Sequence, residues 1–279
     1  MAFLTRFAPS PTGPLHLGHA YSALLAQDMA QAAGGTVLLR IEDIDQSRSR
    51  PKWETQIYDD LQWLGLNWPR PVMRQSDRLP VYRTALDRLL ARGLIYICTC
   101  SRRDIDMALS APQEGVTVGP DGPIYPGTCR AAQHRDGKNG VFRLNMAAAM
   151  DLVADVNFIE TGPCHTGTII RTRADYLDGI GDIVLARRDM GTSYHLSVVL
   201  DDAAQGVTHV LRGEDLFEAT AIHVVLQRLL NLATPIYHHH PLIRDAAGKR
   251  LAKRDDARAI AKYRAEGTTP ANIRRMIGL

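Results

Sequence analysis

Phe3-Leu4-Thr5-Arg6-Phe7-Ala8 runs into Pro9-Ser10-Pro11-Thr12-Gly13-Pro14, and two residues later His16-Leu17-Gly18-His19 opens the next regular stretch. The first six residues read as a short buried strand. The loop after them can be neither helix nor central strand, because each proline lacks an N–H and fixes φ. Over 17–33 the residues Leu17, Ala20, Tyr21, Leu24, Leu25 and Met29 recur at helical spacing, and Gly34-Gly35 supplies the stop. Thr36-Val37-Leu38-Leu39-Arg40-Ile41 is a second β-rich run, closed by Glu42, Asp43 and Asp45. Strand, helix, strand in this order is a βαβ unit, which implies parallel strands joined by a right-handed crossover.

Outward from this unit, Pro51 suits the first turn of a helix that carries Trp53, Ile57, Leu61 and Leu64 on one stripe to Gly65. A further helix is predicted over 79–92 and a strand over 94–100. Residues 101–150 contain Pro112, Gly115, Gly119-Pro120, Gly122-Pro123 and Pro126-Gly127 and read as a loop-rich insertion. Patterning returns with a run at 182–187, a helix over 193–204, a strand over 207–211 that ends in Arg212-Gly213-Glu214-Asp215, a helix over 216–232 and a strand over 235–243. The expected division is a first half of an α/β body (1–97), the insertion (98–150), a second half (151–243), and a basic loop with a short helical end (244–279).

A chain of 279 residues suits one large domain with an insert. With 45% hydrophobic and 23% charged residues, disorder, collagen and coiled coil are excluded. No apolar run approaches the roughly 18 residues of a membrane span, and prolines interrupt the N-terminus before an export signal can form, so a cytoplasmic location without membrane association is expected. Four cysteines cannot frame a fold of this length, and the cytoplasm keeps thiols reduced, which turns attention to metal binding. The net charge of +3 is small, but residues 244–279 hold ten Lys/Arg against four Asp/Glu, a tail that suits polyanions and equally a solvated face.

His16-Leu17-Gly18-His19 stands where a helix begins, and unpaired N–H groups together with the helix dipole favour a phosphate there. Gly18 removes bulk where a nucleotide would lie. Two imidazoles three residues apart share one face and can donate to a phosphoryl group whose charge builds during displacement; read alone, they are as readily two surface histidines. Lys249-Arg250-Leu251-Ala252-Lys253-Arg254 is a second basic element, suited to a departing pyrophosphate.

Pro-x-Pro-Thr-Gly-x-Leu-His-x-Gly-His at 9–19 with the late Leu251-Ala252-Lys253-Arg254 resembles the HIGH and KMSKS signatures of class I aminoacyl-tRNA synthetases. Arg6 to Gly13, Leu39-Arg40-Ile41-Glu42-Asp43, Tyr194-His195-Leu196 and Thr208-His209-Val210-Leu211-Arg212-Gly213-Glu214 are similar to the glutamyl-tRNA synthetase catalytic core, over about residues 1 to 260. The resemblance implies a Rossmann-like α/β catalytic domain with a loop-rich, zinc-bearing insertion, and an ATP-dependent ligase that uses MgATP. His16, His19 and Lys253 would be catalytic, and His16, Gly18, His19 and Lys253 would bind ATP. Glutamate would be held by Arg6, Ala8, Ser10, Glu42, Tyr194 and Arg212. The chemistry agrees, because two guanidiniums and one acid complement two carboxylates and one ammonium; Asp43 and Asp45 are adjacent alternatives to Glu42. Where the family has a serine before the late lysine this chain has Ala252, so a hydroxyl is missing while the lysine is kept.

A core that stops at Leu279, short of the family's anticodon-binding region, is similar to a branch that transfers glutamate to queuosine in the anticodon loop of tRNA(Asp). The implied partners are L-glutamate, ATP and tRNA(Asp) carrying queuosine, and a monomer is expected. A shortened synthetase charging a tRNA 3′ end and a non-catalytic glutamate or adenylate binding module stay open as alternatives. Cys98, Cys100 and Cys129 leave one tetrahedral position. The resemblance places Tyr125 there in a structural zinc site, with His134 or Cys164-His165 as other candidates. His238-His239-His240 reads as structural, Trp53 and Trp63 as part of a core stripe, and Asp201-Asp202 as shaping the pocket or ending a helix.

Overall fold

Leu4–Phe7 (β1) and Thr36–Ile41 (β2) pair in parallel around Leu17–Ala32 (α1), with Leu4 opposite Thr36 and Phe7 opposite Leu39. The computed structural model describes residues 2–109, 117–132, 140–153, 156–243 and 258–279. α1 buries Leu17, Ala20, Ala23 and Leu24 against Phe7, Leu39 and Ile41. Its small residues let the helix lie close to the sheet. Pro51–Trp63 (α2) starts on its proline and buries Ile57 and Leu61 in the same cluster, and Met73–Arg74 (β3) adds a parallel edge to β2. Leu79–Ala91 (α3) leads to Ile95–Cys98 (β4).

The following segment holds more regular structure than its proline and glycine content suggests. Arg102–Leu109 (α4) precedes a small hairpin of Val118–Gly119 (β5) and Gly122–Pro123 (β6), and then Val141–Leu144 (β7) runs antiparallel to β4. Met146–Leu152 (α5) is capped by Asn145, and Leu144, Met146, Ala149 and Met150 are buried in the larger core. Val156–Glu160 (β8) and Gly167–Arg171 (β9) form a hairpin that the sequence reading left unassigned, although Val156, Phe158 and Glu160 alternate inward. Arg173–Gly179 (α6), Val184–Ala186 (β10), Tyr194–Ala204 (α7), His209–Gly213 (β11), Ala219–Leu229 (α8) and Ile236–His240 (β12) complete this half, and Ile260–Ala265 (α9) and Pro270–Ile277 (α10) end the chain.

Two sheets run β3-β2-β1 and β11-β12-β8-β9. Thr208 N–H donates to the Leu4 carbonyl at 2.9 Å, and Leu4 N–H donates to the Thr208 hydroxyl at 2.8 Å, which sets β1 beside β11. Chain order reverses between these two strands, which pair in parallel with β2 and β12 respectively, and open α/β sheets bind ligands beyond the carboxyl ends of strands at such a point. Ile260, Ile273 and Ile277 pack into the first-half core, and Arg274 holds Asp28 of α1 through two 2.8 Å hydrogen bonds. Trp63 and Trp68 pack on that core, whereas Trp53 is half-buried under the Lys52 ammonium. Among the described residues no helix is long and apolar enough to cross a membrane.

Candidate active site

A cleft of about 730 Å³ opens at the carboxyl ends of β1 and β11. Arg6, Ala8, Ser10, His16, Gly18, His19, Glu42, Tyr194 and Arg212 all line it, so the expected glutamate and nucleotide residues converge on one cavity. Lys253, with Ala252 and the rest of 244–257, lies outside the described residues. On either side of that segment, Ile243 lines the cleft and Ala259 forms an antiparallel bridge with His16, where Ile260 N–H donates to the Leu15 carbonyl at 2.8 Å.

His16 caps α1. Its Nδ1 accepts the Gly18 N–H at 3.2 Å, His19 Nδ1 accepts the His16 N–H at 3.1 Å, and the ring centroids lie 3.8 Å apart. Because Nδ1 is the acceptor in both rings, each neutral imidazole carries its proton on Nε2, the donor form a phosphoryl oxygen needs.

The part of the cleft that holds the residues expected for glutamate is built on buried charge. Asp202 Oδ1 accepts from Arg6 Nε at 2.8 Å and Arg40 Nη1 at 2.6 Å, and Arg40 Nη2 donates to Glu42 Oε1 at 2.9 Å. Burial would raise the Asp202 carboxyl, but the two guanidiniums outweigh it and hold it below its ordinary value. Burial presses Glu42 upward against the pull of Arg40. Asp43 instead accepts from the Ser76 N–H and hydroxyl, and Asp45 bonds Ser47 and Arg48, so of these three acids it is Glu42 that lines the cleft. Asp201 accepts from Gln75, Arg78 and Tyr82, a structural role consistent with shaping the pocket.

Arg212 is held differently. Nε donates to His239 Nε2 at 3.1 Å, Nη1 to His223 Nδ1 at 3.0 Å, and Nη2 to the Thr220 hydroxyl at 2.6 Å. All three acceptors are neutral. Glu160 reaches Arg212 only through His239, whose Nδ1 lies 2.5 Å from Glu160 Oε2. Glu160 Oε1 takes the backbone N–H groups of His239 at 2.9 Å and Gly162 at 2.6 Å. A Cβ on Gly162 would lie 2.1 Å from the His239 carbonyl, so this close approach requires glycine.

A pH dependence follows. Burial acts to raise Glu160, but the His239 ring and the two N–H groups prevail and lower its pKa from 4.5 to about 2. A carboxyl depressed in the folded state contributes stability that is present above its ordinary pKa and is lost as pH falls from about 5 toward 2, on the order of 3 kcal/mol here. Burial also lowers His239, so protonation of the unfolded chain acts in the same direction. Urea midpoints measured from pH 7 to pH 3 should fall more steeply in the parent chain than in Glu160→Gln. Equal slopes would contradict this assignment.

In the insertion, the sulfurs of Cys98, Cys100 and Cys129 lie within 4.8 Å of one another, with Cys100 and Cys129 at 3.4 Å. Tyr125 Oη is 3.3 Å from both Cys98 and Cys100, and it accepts the Cys129 N–H at 2.9 Å. Tetrahedral zinc with bonds near 2.3 Å separates its sulfurs by roughly 3.8 Å, so the four donors fit such an ion. Burial pushes the Cys100 thiol up to about 11 and the Tyr125 phenol higher still, and a cation is what would let this donor set ionise. The thiols sit in a small cluster of their own with Tyr96, Ile105 and Val141, which the polar composition of the insert had hidden. Cys164 contacts Glu214 and His165 stacks on Phe217, so neither supplies a ligand; His134 lies outside the described residues.

Several contributors escaped the sequence reading. Arg40 bonds Glu42 and shares Asp202 with Arg6, and Asp202, expected to shape the pocket or end a helix, is the buried acceptor of both guanidiniums. Ser22 and His240 line the cleft 2.8 Å from each other, and Leu242 and Ile243 extend its wall. The histidine run is built into β12 as expected, yet it supplies both His239 to Arg212 and His240 to the cavity. One signal was available: Ser22 follows Gly18 by four residues and so shares its face of α1.

Residues 2–279 match the family model described as tRNA synthetases class I (E and Q), catalytic domain. A glutamyl-Q tRNA(Asp) synthetase from Rhodobacter capsulatus is 65% identical over 277 residues, covering 99% of this chain and 100% of the relative. One from Symbiobacterium thermophilum is 42% identical over 96% of this chain and 83% of its own length. Among solved structures, a glutamate tRNA ligase from Elizabethkingia meningosepticum in complex with its amino acid superposes with a TM-score of 0.72 at 28% identity. That match covers 91% of this chain and 52% of the ligase, so this chain spans about half of it.

Proposed function

Since the chain belongs to the catalytic-domain family of the class I tRNA synthetases for E and Q, we propose that it activates L-glutamate with MgATP and transfers it to queuosine in the anticodon loop of tRNA(Asp). The observation that carries this reading is one cleft in which Arg6, Arg212 and Glu42 complement an amino acid with two carboxylates while His16 and His19 face the same space.

In the first step an oxygen of the glutamate α-carboxylate attacks the α-phosphorus in line. The bond from that phosphorus to the bridging oxygen breaks, giving glutamyl-adenylate and pyrophosphate. Arg6, Arg212, Glu42 and Tyr194, with Ala8 and Ser10 on the wall, hold glutamate so that the attacking oxygen is presented rather than found by diffusion. His16 and His19 donate from Nε2 to the phosphoryl oxygens as charge develops, and Lys253 neutralises the departing pyrophosphate. Magnesium accompanies the triphosphate and supplies charge neutralisation. In the second step a hydroxyl of the queuosine cis-diol attacks the activated carbonyl carbon, AMP leaves, and an ester forms. No side-chain nucleophile is needed.

Glutamate-dependent exchange of labelled pyrophosphate into ATP, measured with tRNA present, tests the activation half. Glutamate should support exchange and glutamine should not, because a neutral amide leaves a buried guanidinium without its anion. Equal exchange with glutamine would remove the assignment of the cleft.

Zinc held by Cys98, Cys100, Tyr125 and Cys129 forms part of the reading, as does a monomer acting in the cytoplasm. The metal would be structural: it would tie together the loops that carry Cys98, Cys100, Tyr125 and Cys129, and ligation would add folding free energy. Protein purified without chelator should contain one zinc per chain, and Cys129→Ser should lose it with a lower melting temperature. Well under one equivalent in the parent protein would defeat the zinc assignment.

A further inference from the structure

Two buried histidines stand behind the glutamate site without lining it. His223 on α8 accepts Arg212 Nη1–H at Nδ1, 3.0 Å away. A guanidinium can only donate, so neutral His223 carries its proton on Nε2, which lies 3.1 Å from His195 Nδ1. His195, on α7, must then accept at Nδ1 and carry its own proton on Nε2, which faces Asp121 Oδ1 at 3.4 Å, the longest link. The donor sense of the whole chain, Arg212 to His223 to His195 to Asp121, is therefore set at its guanidinium end. Burial drives the His223 pKa well below its ordinary value, with Arg212 adding to the effect, so the ring stays the neutral acceptor this arrangement requires.

The same two rings seat Tyr194, whose centroid lies 5.5 Å from His195 and 5.6 Å from His223, in edge-on contact with both. Asp121 sits in the turn between β5 and β6, inside the cysteine-bearing segment. Arg212 and Tyr194 belong to the catalytic body. The hydrogen-bond chain thus ties Asp121 of this segment to Arg212, and the ring contacts of its two histidines bring in Tyr194.

We propose that His223 and His195, anchored by Asp121, are positioning residues that fix the Arg212 fork and the Tyr194 ring for glutamate, so that the insertion's hairpin takes part in amino-acid recognition. The proposal rests on Arg212 being a cation that binds glutamate. Without an acceptor at His223, Nη1–H would be left unpaired in a buried site, and the guanidinium would turn away from the geometry that meets a carboxylate.

The experiment compares KM for glutamate, KM for ATP and kcat of pyrophosphate exchange across a set of variants. His223→Leu should raise KM for glutamate by about tenfold, with kcat and KM for ATP within about twofold of the parent. His223→Gln should recover most of that loss, because its amide oxygen accepts from Arg212 and its NH2 donates to His195. Asp121→Ala should raise KM for glutamate by roughly threefold. Its side chain is 35% exposed, so this variant keeps the test open if His223→Leu fails to fold. In the double variant the two effects should be less than additive. An unchanged KM for glutamate in both single variants, or an equal rise in both KM values that His223→Gln does not reverse, would overturn the proposal. Arg212→Lys separates the premises: if it leaves KM for glutamate unchanged, the role of Arg212 itself fails. A raised KM there with none in His223→Leu or Asp121→Ala overturns the positioning role alone.

Discussion

Arg212→Ala is expected to raise KM for glutamate by about 10² to 10³-fold, since truncating one partner of a buried, hydrogen-bonded charge pair costs roughly 2–5 kcal/mol. The magnitude comes from how Arg212 is held. Arg6 shares Asp202 with Arg40, so its charge is already met inside the protein, whereas among the described residues Arg212 bonds the neutral His239, His223 and Thr220. A guanidinium at 6% exposure that has no ion pair among the described residues is poised to gain most from an incoming carboxylate. Lysine at this position keeps the charge but loses the fork, so Arg212→Lys should fall between the parent and alanine. Exchange kinetics at varied glutamate give both values, and a KM for Arg212→Ala within threefold of the parent would contradict the role.

Lys253→Ala should leave glutamate binding intact and lower the rate of adenylate formation by on the order of 10³-fold, the scale on which a cation stabilising a transferring phosphoryl group acts. Ile243 on the cleft wall and Ala259 against His16 flank residues 244–257 in sequence, the stretch that carries Lys253. In the proposed mechanism Ala252 costs a hydroxyl relative to the family's serine, while the Lys253 ammonium is kept. Calorimetry for glutamate and pyrophosphate exchange for chemistry separate the two effects. Unchanged exchange would sink the mechanism.

Where function rests on neighbours in sequence, it was legible. The strand, proline loop and His16-Leu17-Gly18-His19 unit predicts a parallel pair with a nucleotide face because local rules fix each piece, and β1, α1 and β2 lie where that unit places them. Arg6, Glu42, Tyr194 and Arg212 came from resemblance, since no spacing rule joins positions this distant. Nothing marks Asp202 as the partner of Arg40, 162 residues away, until the sheet brings them together. His195 stood inside a family-like triplet without a role and His223 inside a helix, and only the shared hydrogen bonds give them a place behind the site. The segment from β7 to β8 was blurred because its short apolar runs follow a glycine- and proline-rich stretch, although Leu144, Met146 and Phe158 belong to the main core.

Transfer of labelled glutamate to two tRNA pools, one from cells that make queuosine and one from cells that cannot, bears most directly on the proposed activity. Glutamate transfer to the modified base predicts label in the first pool only. Equal label in both pools would contradict it and identify a tRNA 3′ end as the acceptor.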